Sequence, residues 1–244
     1  MKIGIMQAYF FPYIGYFQLI DASDEFILYE HVAFRKKSWI TKNRILDKGR
    51  KLAVEIKIPV IKKCSYKTIS EIEINGTNWK RPLLKSIYFN YKKAAYFKEV
   101  YPLIEKCIQT NTSSLHDYNS AIIKEICSYL DLKTNIKSKN EAFLKLEARL
   151  LNDEIIKEEV KSLRIVEICK QQKAHTYINA AGGIELYDKA YFTKHNLSLF
   201  FINPKEYSYN QFNMEFVPHL SIIDVLMHNG KDGTKKLIKN YSLI

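Results

Sequence analysis

No run of eighteen or more apolar residues occurs in the chain, so the sequence offers no membrane-spanning helix. Its N-terminus reads as a strand from residue 2, which leaves no room for a signal peptide. A cytoplasmic location is the expectation. Cysteine is scarce and dispersed: Cys64, Cys107, Cys127 and Cys169 form no Cys-x-x-Cys pair and have no histidine at metal-ligand spacing. That pattern argues for reduced, mostly buried thiols and against a zinc site, so no metal is expected. Internal repeats, low-complexity tracts and a clean linker are missing too. Arginine is rare, confined to Arg35, Arg44, Arg50, Arg81, Arg149 and Arg164. Each therefore carries more weight, because only the guanidinium fork grips phosphate or carboxylate in a bidentate way.

What is present fits a globular protein with an ample core: 244 residues, 47% hydrophobic and 26% charged. The net charge of +12 suits a polyanion, an anionic membrane face or a phosphorylated substrate. Lysine is spread along the whole chain with isoleucine, asparagine and tyrosine, so a composition-biased genome accounts for the excess as readily as a function does.

The chain is organised around Ile3 to Glu30. An apolar run, Ile3 to Met6, passes through the polar and aromatic turn Gln7 to Pro12 into a helical pattern from Tyr13 to Ala22, and a second apolar run, Phe26 to Tyr29, ends on Glu30. Strand, turn, helix and strand at this length make a right-handed βαβ unit with parallel strands. The junction of its first strand and helix is where open α/β sheets bind ligands. Gln7, Tyr9, Phe11, Pro12, Tyr13, Gly15 and Tyr16 form the first candidate site. Gly15, lacking a Cβ, either lets a phosphate approach the helix start or serves helix–sheet packing.

The stretch His31 to Arg50 follows, with Phe34 and Trp39 set among seven basic residues. As a strand-end segment it is the second candidate site. Asn43 and Arg44 would hold phosphate or carboxylate, Lys36 would add charge, Trp39 would cover a sugar or base, and Glu30 would hold a hydroxyl or a metal-bound water. The alternative is a solvated basic loop around a half-buried tryptophan. Leu52–Pro59 and Ile69–Ile74 alternate and read as strands, joined by the basic loop Lys62 to Lys67, in which Lys67 is a weaker anion contact. Three helical segments, Trp79–Tyr91, Ala95–Gln109 and Ser114–Leu130, then form an insertion over about 79–130.

Thr134–Ser138 reads as a short strand, Lys139–Glu159 as a lid, loop or exposed helix, and Ser162–Gln172 as a helix. A strand at Thr176–Asn179, the turn Ala180–Gly183 and a helix at Ile184–His195 repeat the logic of the opening unit. Gly182 and Gly183 are the third candidate site, or serve turn geometry alone. Leu197–Ile202 is a last strand. Ser221 and Asp224, at the head of a final helix with Gly230 and Gly233 marking helix ends, have capping-box spacing. The sharper alternative joins them to His219 as substrate or catalytic contacts.

The run Gln7-Ala-Tyr-Phe-Phe-Pro-Tyr-Ile-Gly-Tyr-Phe-Gln-Leu-Ile20, the stretch Lys36-Lys-Ser-Trp-Ile-Thr-Lys-Asn-Arg44 and Leu220-Ser-Ile-Ile-Asp224 resemble the WbqC family, bacterial proteins found in O-antigen and other surface-polysaccharide contexts. The resemblance covers nearly the whole chain. It implies transfer of glycine or another small acyl group to an amino sugar, the activity for which family members tend to be named. At the level of pattern, Pro12, Gly15 and Leu19-Ile20 followed by an acidic residue are similar to the opening of the nucleotidylyltransferase superfamily, including pantothenate synthetase. Those enzymes carry a His-x-Gly-His type motif where this chain has Tyr13 and Tyr16 or Gln18. The departure falls on residues that would contact ATP, and it leaves ATP use open.

The expected fold is thus α/β: an open, mainly parallel, Rossmann-like sheet, nucleotidylyltransferase-like in its narrower form, in one domain of residues 1–244 with a helical insertion. The expected function is an amide-forming enzyme, an acyl or aminoacyl transferase or ligase, acting on a nucleotide-linked amino sugar and a small acyl donor. Glu30, Lys36 and Arg44 would be its catalytic groups and the other candidates would bind substrate. No residue presents itself as a nucleophile, which is acceptable if catalysis is mainly positioning of an acyl phosphate or adenylate. The alternative class is a binding module for RNA or an anionic glycan, in which charge and aromatics suffice. Nucleic acid is the less favoured partner, because the arginines are not concentrated in a tail or motif.

Overall fold

The computed structural model describes residues 1–61, 67–139, 141–152 and 157–244, without the side chains of residues 151, 152, 157 and 158. Apolar runs too short for helices become the strands of a six-stranded sheet: β1 (Lys2–Met6), β2 (Glu25–Leu28), and, further along, Asn135–Lys137, Thr176–Asn179, Ser198–Pro204 and Tyr241–Leu243. Numbered in chain order within this sheet, they lie side by side as 3-2-1-4-5-6, the order of doubly wound dinucleotide-binding sheets. The first five are parallel and Tyr241–Leu243 runs antiparallel to its neighbour. The fold is α/β, mainly parallel and Rossmann-like.

Between β2 and the 135–137 strand the chain makes a long excursion. It forms the antiparallel hairpin β3 (Lys42–Asp47) and β4 (Leu52–Lys57), then the helices α2 (Lys80–Tyr91), α3 (Phe97–Ile108) and α4 (Leu115–Tyr129). The 135–137 strand is β5. After it come α5 (Glu141–Asn152), α6 (Lys157–Gln171), β6 (Thr176–Asn179), α7 (Lys189–Lys194), β7 (Ser198–Pro204), α8 (Ile222–Ile238) and β8 (Tyr241–Leu243). The remaining helix, α1 (Ile14–Asp21), joins β1 to β2.

Alternation along β1 and its neighbours divides the interior. Phe26, Leu28, Ile178 and Ile202 face one core with α1, α2, α3, α4 and α8. Ile3, Ile5, Ile27, Tyr177, Leu199 and Phe201 face the other with α5, α6 and α7. Burying a side chain such as Phe26 or Ile3 stabilises the fold by about 1.5–3 kcal/mol.

The structure departs from the sequence patterns at five places. Ile69–Glu71 is a 3-10 turn, because Thr68 and Glu71 close a capping box, with Thr68 N and Oγ1 donating to Glu71 Oε2 at 2.8 and 2.7 Å. The basic stretch after Glu30 includes β3, whose Ile45 and Leu46 are fully buried. Of the expected helix Ile184–His195 only Lys189–Lys194 forms, since Asp188 caps it by accepting from Ala190 N at 2.9 Å. Gly233 lies inside helical backbone rather than at an end, whereas Gly230, at φ 62°, does divide α8 into two helical pieces at a kink. Within Lys139–Glu159, α5 is a packed helix that buries Phe143, Leu146 and Leu150; residues 140 and 153–156 lie outside the described residues. So does the loop from Lys62 through residue 66, with Cys64. Cys107, Cys127 and Cys169 are buried free thiols.

Candidate active site

A cavity of about 480 Å³ opens where the strand order reverses, at the carboxyl ends of β1 and β6. In open α/β sheets this crevice is the ligand-binding position. Its walls come from Met6, Gln7, Tyr9, Tyr13 and Tyr16 of the opening unit, Tyr29 beyond β2, Trp39, Lys161 and Arg164 of α6, and Tyr177, Asn179, Gly182, Gly183 and Tyr187 around β6. No described residue of the lining is acidic. Burial pushes the phenols of Tyr9 and Tyr13 up, that of Tyr9 further because Tyr13 lies beside it, so both stay protonated donors. Their hydroxyls, and the Asn179 Nδ2 amide, have no hydrogen-bond partner among the described residues. The cavity therefore presents donors and aromatic faces, a surface for hydroxyl- and oxyanion-bearing ligands.

The turn that forms one wall is buried, so every main-chain carbonyl in it needs a donor. Tyr16 Oη donates to Gln7 O at 2.8 Å, Asn119 Nδ2 to Ala8 O at 2.9 Å, and Asn43 Nδ2 to Phe10 O and Phe11 O at 3.0 and 2.7 Å. Ser221 Oγ also donates to Phe11 O at 2.8 Å, and Ile222 N to Pro12 O at 2.9 Å. Phe11 is held at φ 41°, a left-handed conformation costly for a bulky residue. Asn43 and Ser221 thus act on the turn. So does Asn119, which also donates to Ile40 O at 2.8 Å and which sequence reasoning missed. An asparagine in a helical pattern gives no signal of this role.

The expected site residues separate into groups. Gln7, Tyr9, Tyr13, Tyr16, Trp39, Gly182 and Gly183 line the cavity. Phe11, Pro12, Gly15, Asn43, Ser221 and Asp224 do not; all six are buried. The space left by the missing Cβ of Gly15 is taken by the Tyr13 ring, whose Cε2 would lie 2.4 Å from such an atom. What approaches the helix start in this structure is a side chain. At the second glycine pair, a Cβ on Gly182 would meet nothing within 4 Å, whereas one on Gly183 would meet Asn179 Nδ2 at 2.2 Å.

Ser221 is the N-cap of α8 and accepts from Ile223 N at 3.2 Å. Asp224 is not its capping-box partner: it accepts from Tyr91 Oη (2.8 Å), Tyr209 Oη (2.7 Å) and Gln211 Nε2 (2.7 Å). His219 is exposed and contributes its carbonyl to Arg44 Nη2 at 3.3 Å, so these three residues form no relay.

The three expected catalytic groups face different spaces. Arg44 stacks on Trp39, its Cζ 5.6 Å from the ring centroid, so it supports a wall residue from outside the cavity. Lys36 lies in a surface groove with Lys37, Lys42, Lys57 and Glu55. Glu30 lines a small second cavity with His31, Lys137, Ser138 and Lys139. Its Oε2 lies 3.7 Å from Nε2 of the fully buried His116, and burial, with Asp117 nearby, pushes its carboxyl up to about 7.

A family model described as the WbqC-like protein family matches residues 7–236, a range that holds the turn, its clamps and the whole cavity lining after Met6. The chain belongs to the WbqC-like family. The uncharacterized protein Rv1507c of Mycobacterium tuberculosis (strain ATCC 25618 / H37Rv) is 29% identical to it over 238 residues, covering 95% of each chain. No solved structure gives a significant match. Membership in the WbqC-like family suggests a role in surface-polysaccharide-associated processes.

Two features set this WbqC-like chain apart from the nucleotidylyltransferase pattern. Tyr16 is tied to Gln7 O, and Gln18 turns into the core, where its Nε2 donates to Leu237 O and Asn240 O at 3.2 and 3.3 Å. Of the positions that would carry the His-x-Gly-His motif, Tyr13 and Tyr16 line the cavity and Gln18 does not. Among the described residues, no group of three or more His, Cys, Asp or Glu side chains is placed to hold a metal ion, and no helix is long and apolar enough to cross a membrane. Lys161, Arg164, Tyr29 and Asn179 are lining residues that the sequence reading passed over. Arginine scarcity was the one signal that pointed at Arg164.

Proposed function

We propose that this WbqC-like chain is an enzyme that transfers a small acyl or aminoacyl group, such as glycine, to the amine of a nucleotide-linked amino sugar. The observation that supports the reading is the crevice at the strand reversal, walled by tyrosines, Trp39 and unpartnered donors with no described carboxylate. A sugar offers hydroxyls to such donors, a base offers a face to the rings, and phosphates offer oxygens to Lys161 and Arg164.

In the reaction the sugar amine attacks the acyl carbon of an activated donor, the bond from that carbon to the phosphate oxygen breaks, and the phosphate leaves with the bonding electrons. The described lining holds no carboxylate or imidazole to take the amine's proton, so in this scheme the proton passes to the departing phosphate or to solvent water. Catalysis then rests on holding amine and acyl carbon together and on cations facing the charge that develops on the leaving phosphate. ATP belongs to this reading as a source of the activated acyl group, and no residue here is assigned to bind it.

The test is incubation of the purified chain with nucleotide-linked amino sugars, glycine and ATP, or preformed acyl phosphates, followed by mass spectrometry. A sugar nucleotide heavier by the acyl increment is the expected product. Binding without any mass gain across the panel would instead favour a binding module.

A further inference from the structure

The cavity has one wall whose construction serves no purpose in the sheet. Arg164 sits on it with its side chain 18% exposed, and the Glu147 carboxylate of α5, 8% exposed, takes two of its five N–H donors: Nε donates to Oε1 and Nη2 to Oε2, the latter at 2.8 Å. Tyr29, at the end of β2, donates its hydroxyl to the same Oε1 at 2.6 Å. Three N–H of the guanidinium remain; the Tyr29 hydroxyl is also hydrogen-bonded to the guanidinium, and no further described residue accepts from it. Lys161, three residues earlier on α6 and so on a neighbouring helix position, also lines the cavity and makes no described ion pair. Burying an arginine costs less when a carboxylate accompanies it, and here that carboxylate fixes the plane of the fork while leaving one edge free.

We propose that Arg164 and Lys161 form a phosphate-binding subsite of this cavity and that Glu147 and Tyr29 are positioning residues which aim the free edge of the Arg164 guanidinium into it. The ligand class is a nucleoside diphosphate, free or linked to a sugar, with its phosphate oxygens on α6 and its base or sugar among the tyrosines. A single carboxylate would use only part of the subsite, whereas a diphosphate spans both cations. The inference deepens the reading of the cavity as a sugar-nucleotide site and rests on it for the ligand, although the clamp itself does not depend on acyl transfer.

The test is ligand-observed NMR titration of the full chain with a panel of nucleoside diphosphates and the matching nucleosides, which reads weak binding as well as strong. At least one diphosphate should bind. Arg164→Lys, which keeps the charge and loses the fork, should weaken that diphosphate about ten- to a hundredfold, the range for losing hydrogen bonds to a charged group. Lys161→Ala, a change at an exposed residue, and Glu147→Gln, which keeps the shape, should each weaken it severalfold. None of the three should change the matching nucleoside by more than about twofold, a selectivity that a merely structural role for Glu147 would not produce. Should Arg164→Lys not fold, Lys161→Ala alone decides. Binding of no diphosphate, wild-type affinity in the variants, or equal losses for diphosphate and nucleoside would overturn the proposal. Arg164-dependent diphosphate binding without acyl transfer would overturn the transferase reading and leave the subsite standing.

Discussion

The turn after β1 and the turn after β6 face each other across one cavity, and they are held in opposite ways. The first takes donors from α1, β3, α4 and the head of α8, segments up to 210 residues away in sequence. The second is held locally: Asn179 Oδ1 accepts from the next residue's N–H at 2.8 Å, and Gly183 N, Ile184 N and Leu186 N reach back to carbonyls three residues earlier. A buried, strained turn needs the rest of the molecule to hold it, whereas a surface turn with two glycines needs only its own backbone. The first wall is rigid by consensus of distant parts, and the second is free to differ.

The sharpest way to break this comparison is to remove one donor from each side. Asn119→Ala strips Ala8 O and Ile40 O of their donor and should cost about 2–4 kcal/mol, while Asn179→Ala should cost about 1 kcal/mol, both measured by urea unfolding. The reverse order would show that the first turn holds itself. Next in size, Asp224→Asn keeps the shape of a side chain that accepts three hydrogen bonds but turns one oxygen into a donor. A loss of about 1.5–3 kcal/mol is expected; a loss under 0.5 kcal/mol would mean that Tyr91, Tyr209 and Gln211 re-pair without it.

The glycines sharpen the contrast. Gly15→Val drives a methyl-bearing carbon into the Tyr13 ring and should destabilise by about 1–3 kcal/mol while displacing Tyr13 from the cavity wall. Gly182→Ala, into open space, should stay within about 0.5 kcal/mol. Paired melting curves decide it, and equal effects would erase the difference between the turns.

The last test concerns pH. Folding raises the Glu30 carboxyl from the ordinary 4.5 to about 7, so the folded chain keeps a proton there that the unfolded chain has already lost. That contribution to stability is complete below about pH 4.5 and disappears as the pH rises through 7. Glu30→Gln should therefore gain stability relative to wild type between those limits and show no further relative change outside them. A parallel pH profile for the two proteins would place Glu30 in water.

Periodicity made much of the fold legible. The opening βαβ unit, the helices of 80–129 and the strand at Thr176–Asn179 announce themselves through spacings that few other structures satisfy. The hairpin strand β3 did not, because Ile45 and Leu46 are its only aliphatic residues among polar and charged ones. Ile69 to Ile74 alternates as a strand should, yet one local capping pair bends its first half into a turn. At the site, the need for closeness at Gly15 could be read, but not the ring that fills it, since that depends on a rotamer. Arg164 was visible as a rare residue on a helix. Its carboxylate partner lay in a segment that looked irregular, and nothing in spacing alone joins positions 147 and 164 to a phenol at 29.

Asn119 carries one more consequence. The three helices between β2 and β5 resemble an accessory that an engineer would trim to obtain a smaller Rossmann-like chain. Yet one amide on the last of them supplies the donor for a carbonyl in the first turn, at Ala8, and for another beside Trp39, at Ile40. Excising the helices would remove the part that keeps two segments beside the cavity in register. In this architecture the decoration and the scaffold are not separable modules, and a minimal version of the protein would have to replace that amide before it could replace the helices.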